Sequence, residues 1–101
     1  MIFEQLEGEI INWARDRYLL KPNNAPKQFL KFIEESGELA RAILKDDLEE
    51  EIDAFGDVLV TLIILAEQRG VNLTDCLEQA YNEIKDRKGS TVNGTFIKEE
   101  K

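Results

Sequence analysis

Three glutamates and two aspartates in this chain are spaced to act together. Glu35 and Glu38 are three residues apart, Glu34 and Glu38 are four apart, and Asp53 and Asp57 are four apart. On an α-helix, residues three or four apart project side by side. Short-looped helices run antiparallel, and the break between the two acidic segments falls near Asp46. Glu38 lies about eight residues before that break, and Asp53 and Asp57 lie about seven and eleven after it. The two acidic pairs should therefore stand at one level. Four carboxylates at one level make an oxygen cage suited to a hard divalent cation, magnesium or manganese. The same spacing also describes a solvated acidic face. Glu49, Glu50 and Glu51 read as such a face, and acids here also favour the start of a helix.

Composition narrows the chemistry further. The 101 residues include no His and one Cys, Cys76. A histidine general base, a Ser-His-Asp triad, a His-based or multi-cysteine metal site and an internal disulfide are all excluded. Asp plus Glu outnumber Lys plus Arg by 21 to 13, for a net charge of −8. Such a chain lacks the basic patch that supplies affinity for nucleic acid or anionic membranes. If it handles a phosphorylated substrate, cations must stand between its carboxylates and the phosphates. The longest apolar stretch, Val58 to Ala66, is far short of the roughly 20 residues of a membrane helix. The N-terminus reads as a folded helix rather than a signal peptide, so a cytoplasmic location is expected.

The elements that must position these acids read as four helices in one domain spanning residues 1–101. The first runs from about Ile2 to Leu19, with Phe3, Leu6, Ile10, Trp13 and Ala14 at helical spacing. Trp13 reads first as a core or interface residue, with base stacking as the alternative. Pro22 and Pro26 bracket a loop. The second helix runs from about Pro26 to Lys45, with Phe29, Ile33, Ala40 and Leu44 on one face and the small Ser36 and Gly37 near it. The third begins at an Asp46 or Asp47 cap and stops at Gly70. The fourth begins at the Asn72 cap and ends at Gly89, with Cys76, Leu77, Ala80, Tyr81 and Ile84 as its stripe. Residues 90–101 read as an extended tail, without a strand-turn-strand pattern.

The third helix has two apolar sides. Leu48, Ile52, Phe55, Leu59, Leu62 and Ala66 lie on one, and Val60 and Ile64 lie nearly opposite. A helix apolar all round is covered on both sides. A four-helix chain of this size has little material for that, so a subunit interface covering the second side, that of Val60 and Ile64, is expected. Asp53 and Asp57 lie on the side of Val60 and Ile64, where unpaired buried charge would be costly.

The run Gln28, Lys31, Glu34, Glu35, Gly37, Glu38, Leu39 and Ala40 resembles the Q-x-x-K-x-x-E-E-x-G-E-L-A segment of MazG-like proteins. These belong to the all-α nucleoside triphosphate pyrophosphohydrolase superfamily. Ile52 to Val60 resembles the second half of the family's pattern, E-E-x-x-E followed by E-x-x-D. Tyr81 to Gly89 and Asn93 to Phe96 resemble the small stand-alone members, so the likeness spans about residues 10 to 98.

The resemblance implies an all-α, four-helix MazG-like bundle completed by oligomerisation into a homodimer or homotetramer. It implies Mg²⁺-dependent hydrolysis of nucleoside or deoxynucleoside triphosphates to the monophosphate and pyrophosphate. Glu35, Glu38 and Asp57 match metal-binding positions, and Glu34 matches the leading glutamate. Glu34 or Glu35 is the expected water-activating group. Lys31, Asn82, Lys85 and Arg87 match triphosphate and nucleotide contacts. The pattern's remaining glutamate falls at position 54, where this chain has Ala54. Asp53 is the nearest substitute, with Glu50 one turn away. The alternative is a non-catalytic helical interaction module or a nucleotide-sensing module, and Ala54 is the feature that favours the interaction module.

Overall fold

The computed structural model describes residues 1–99; residues 100 and 101, the end of the expected tail, lie outside the described residues. Four helices carry most of the chain, as expected of an all-α fold: α1 (Phe3–Asp16), α2 (Ala25–Lys45), α3 (Leu48–Gln68) and α4 (Leu73–Ile84). A 3₁₀ turn at Pro22–Asn24 leads into α2. No helix among the described residues is long and apolar enough to cross a membrane.

The turn between α2 and α3 is the tightest joint in the fold. Asp46 ends α2 in the left-handed conformation, at φ 56°. The backbone N–H groups of Asp46 and Asp47 donate to the carbonyls of Ile43 and Ala42 at 3.0 and 3.1 Å, which satisfies the helix's last acceptors. The Asp47 carboxylate then accepts from the Glu50 N–H at 3.1 Å and caps α3. Lys45 Nζ lies 3.2 Å from Glu50 Oε2 across the same joint. With so short a link, α3 folds back antiparallel along α2.

The faces that meet inside the chain are not the most apolar ones. On α2 the inward side carries Ala25, Glu35 and Ala42. On α3 it carries Ala54, Thr61, Ile64 and Gln68. The expected α2 face points outward instead: Phe29, Ile33 and Leu44 are all exposed. So are Leu48, Ile52, Phe55 and Leu59 of α3. Gly37 is also exposed, with open space where a Cβ would be, so it does not mediate a helix contact. Small side chains allow α2 and α3 to approach closely, and that approach selects which face is internal. α1 crosses α3 with Ala14 fully buried and Glu7 buried beside it. Gln68 ties the α1–α2 loop to α3 through a 2.7 Å bond to the Leu19 carbonyl.

α4 ends earlier than expected, at Ile84, because the charged run Lys85–Lys88 adds nothing to its apolar stripe. It buries no residue. Its start is fixed by the Asn72 cap on the Asp75 N–H at 3.1 Å. Asn72 and Thr74 also donate to Glu7 Oε1 at 3.5 and 3.1 Å, which gives that buried carboxylate its partners. Cys76 is free and exposed.

The expected extended tail is a β-hairpin instead. β1 (Gly89–Val92) pairs antiparallel with β2 (Thr95–Lys98), with Val92 opposite Thr95. Asn93 and Gly94 take φ of 52° and 79°, the left-handed pair that a two-residue hairpin turn requires. Gly89 is obligatory, because a Cβ there would collide with the Ile97 carbonyl and the Phe96 ring.

The cap at the α2–α3 joint should be measurable. Asp47→Ala is expected to lower unfolding stability by about 1 kcal/mol, read from chemical denaturation. Asp47→Ser should restore most of that loss.

Candidate functional site

α2 gathers four charged side chains on one stripe. Glu34, Glu35 and Glu38 each place a carboxylate oxygen within 4.8 Å of the others'. Lys31 Nζ lies 3.5 Å from Glu34 Oε1 and 3.4 Å from Glu35 Oε1. The hydrogen bond to Glu35, then the charges of Glu34 and Glu35, raise the Lys31 pKa above its ordinary 10.5. Lys31 is therefore a firmly charged ammonium on the edge of the cluster.

Glu35 is the unusual member. It is buried while Glu34 and Glu38 are exposed, and its Oε2 has no hydrogen-bond partner among the described residues. An orphaned buried carboxylate oxygen is costly, and native structures seldom tolerate one without a donor or cation. The donor set is all oxygen, the chemistry of magnesium and manganese sites. The residues present thus fit a hard divalent cation.

α3 brings its acids to the same level. Gln28 Nε2 donates to the Thr61 carbonyl at 3.1 Å, which fixes the register of the antiparallel pair. Ala54 is buried on the side of α3 that also carries Thr61, so position 54 faces the interior of the chain. Asp53 is exposed and Asp57 half-buried on the flank. Burial raises the Asp57 pKa above its ordinary 3.8, and the charges of Asp53 and Glu35 push it further, with Lys31 opposing. Asp57 thus feels both helices' acids, although neither it nor Asp53 enters the tight α2 group.

The remaining expected contacts lie elsewhere in the chain. Asn82 is on α4, and Lys85 and Arg87 follow it. Among the described residues, none of the three forms an ion pair with the acidic cluster. Glu50 pairs with Lys45 at the joint. Gln28, not singled out from the sequence for a role, sets the register that aligns the acids. Its signal was its place in the same motif, one turn before Lys31.

The family model for phosphoribosyl-ATP pyrophosphohydrolase matches residues 8–87. That span includes every carboxylate of the site and all of α2, α3 and α4, and leaves the hairpin outside. A curated relative is an uncharacterized 18.2 kDa protein in the rep-hol intergenic region of Haemophilus phage HP1. It is 38% identical over 69 residues, covering 68% of this chain and 42% of the relative. The chain thus spans less than half of that protein's length. No solved structure matches.

The strain on Asp57 predicts a stability effect with a definite sign. A raised acid pKa means that the folded chain holds the proton more tightly than the unfolded one. Stability then falls as pH rises through 3.8 towards the folded value, and the penalty persists at neutral pH. Asp57→Asn should raise the metal-free melting temperature at pH 7 by a few degrees. The gain should vanish in scans at low pH, where the native aspartate is protonated.

Proposed function

The chain belongs to the phosphoribosyl-ATP pyrophosphohydrolase family, within the MazG-like all-α pyrophosphohydrolases, and we propose that it hydrolyses nucleoside triphosphates to the monophosphate and pyrophosphate with Mg²⁺. The observation that carries this reading is Glu35 Oε2, buried and unpartnered within a cluster of carboxylates. Glu35, Glu38 and Asp57 would hold the cation, with Asp53 in place of the glutamate absent at position 54. The cation, when bound, neutralises phosphate charge that this acidic chain would otherwise repel.

The chain's own residues supply the rest. Lys31, fixed by Glu34 and Glu35 at the cluster's edge, binds a phosphate oxygen as a point charge. Glu34 is exposed and its ion pair with Lys31 engages one carboxylate oxygen, which leaves the other to orient a water and take its proton. The water oxygen attacks the α-phosphorus, the bond from that phosphorus to the α–β bridging oxygen breaks, and pyrophosphate departs.

Residues 1–101 act as one domain in this reading, on free nucleotides in the cytoplasm. A homodimer or homotetramer is part of it. Ile52, Phe55 and Leu59 of α3 and Leu77, Tyr81 and Ile84 of α4 are 42–68% exposed, far more apolar surface than a small monomer leaves open. Covering α4 with a second copy would also give Asn82, Lys85 and Arg87 a route to phosphates bound at a neighbour's carboxylates. Ala54 supports a second reading, a module that binds nucleotide, or a partner protein, without turnover.

The test is pyrophosphate release from a panel of nucleoside triphosphates and phosphoribosyl-ATP, with Mg²⁺ and with chelator. Metal-dependent release that falls by about 100-fold in Glu38→Gln is the expected result. Mg²⁺-dependent thermal stabilisation without release from any substrate would favour the sensing module, and neither effect would favour the interaction module.

A further inference from the structure

A second concave surface lies beside the carboxylates and has no part in the mechanism above. It is an open groove of about 610 Å³ between α1 and α3. Ile10, Trp13 and Val60 give it an apolar floor, and Glu9, Asn12, Asp16 and Arg17 line it with polar groups. Val60 follows Asp57 by three residues, so the floor begins within one helical turn of the carboxylates. In a nucleotide the base and the α-phosphate are separated by one ribose. A nucleotide whose phosphates reach Asp57 is long enough to lay its base in the groove.

The groove's chemistry suits a planar heterocycle. Trp13 is 47% exposed, and the Arg17 guanidinium already lies over its ring at 4.3 Å from the centroid. Arg17 Nη1 also donates to the Trp13 carbonyl at 2.9 Å, which fixes the pair as a stacked platform. Aromatic and guanidinium planes are the surfaces on which bases stack. The hydrogen-bonding groups are unequal. Glu9 and Asp16 can only accept when ionised. Asn12 Oδ1 already accepts from Arg15 Nη1 at 2.9 Å, which leaves the Asn12 amide as a donor. Arg17 also donates but is held on the Trp13 ring and its carbonyl, so two acceptors and one donor remain at the rim, which suits a base with an exocyclic amine beside a ring acceptor. Uracil and thymine, with a carbonyl on each side of N3–H, would face the carboxylates with their own oxygens.

We infer that the α1–α3 groove is the nucleobase subsite of this protein, stacking the base on the Trp13–Arg17 platform and selecting bases that carry an exocyclic amino group. The inference rests on the proposed nucleotide substrate but is tested apart from turnover.

Trp13 is the chain's only tryptophan, so fluorescence excited beyond the tyrosine band reports on the groove alone. The full chain, with chelator present, is titrated with cytidine, adenosine and uridine, which carry no phosphate for the acidic chain to repel. Quenching by cytidine or adenosine at about tenfold lower concentration than by uridine is expected. Asp16→Asn should narrow that gap with helical content unchanged by circular dichroism. Where hydrolysis is seen, Trp13→Ala should raise KM about tenfold with little change in kcat, and Trp13→Phe should recover most of the loss. Equal quenching by all three nucleosides would overturn the selectivity. Absence of quenching would overturn the subsite, as would a Trp13 signal that tracks protein concentration rather than nucleoside, which would mark the groove as covered by a second copy. Because the titration needs neither metal nor turnover, quenching without pyrophosphate release would sink the hydrolase reading and leave the subsite standing.

Discussion

The antiparallel contact of α2 with α3 governs the rest of the molecule, because it brings carboxylates of both helices to one level against their mutual repulsion. The joint at Asp46 and Asp47 makes that contact unavoidable: a left-handed residue closes α2, and the next residue caps α3. Gln28 then locks the register by reaching the Thr61 carbonyl. Repulsion is offset on α2 by Lys31, which lies within 3.5 Å of both Glu34 and Glu35. It is not offset at Glu35 Oε2 or at Asp57, whose pKa is raised by burial and by neighbouring acids. A divalent cation held by these carboxylates would offset that repulsion.

The close helix approach has a consequence for the outside of the molecule. Alanines fill much of the internal contact, with Ala14, Ala25, Ala42 and Ala54 all buried. The larger apolar side chains are therefore displaced outward, and no large side chain is fully buried among the described residues. A chain of about 100 residues gains little from a core so small, and α4, without a buried residue, gains almost nothing from its own chain beyond the cap and the Glu7 contacts. The acidic site and the uncovered faces are two results of one packing choice. Cofactor relief on the inside and a second copy on the outside would supply what the lone chain lacks.

Much of this was legible in the residues. The helical periods, the caps at Asp47 and Asn72, the stop at Gly70 and the spacing of Glu34, Glu35, Glu38, Asp53 and Asp57 are local features, and local rules suffice to read them. The hairpin was legible in part and overlooked. Asn93-Gly94 is a strong turn signal, but its strands hold one apolar pair and no alternation, so nothing else in the segment reinforced it. The side of α3 that carries Val60 and Ile64, expected to meet a second copy, packs inside the chain instead, with Ile64 buried while Leu48, Ile52, Phe55 and Leu59 on the other side are exposed. Periodicity ranks faces by hydrophobicity, and here the more apolar face of each helix points away from its neighbour.

The sequence by itself determined the class of fold, the family, and the chemistry open to a chain rich in carboxylates and free of histidine. Those follow from residue type and spacing, which are properties of the chain alone. Tertiary structure decided which carboxylate is buried without a partner among the described residues, which helix faces meet, and that Trp13 and Arg17 line one groove with Val60. It also decided that Ala54 is buried while Asp53 is exposed. Those depend on the register between helices far apart in sequence, set by a two-residue joint and a single side-chain bond, and no local rule reaches across that distance.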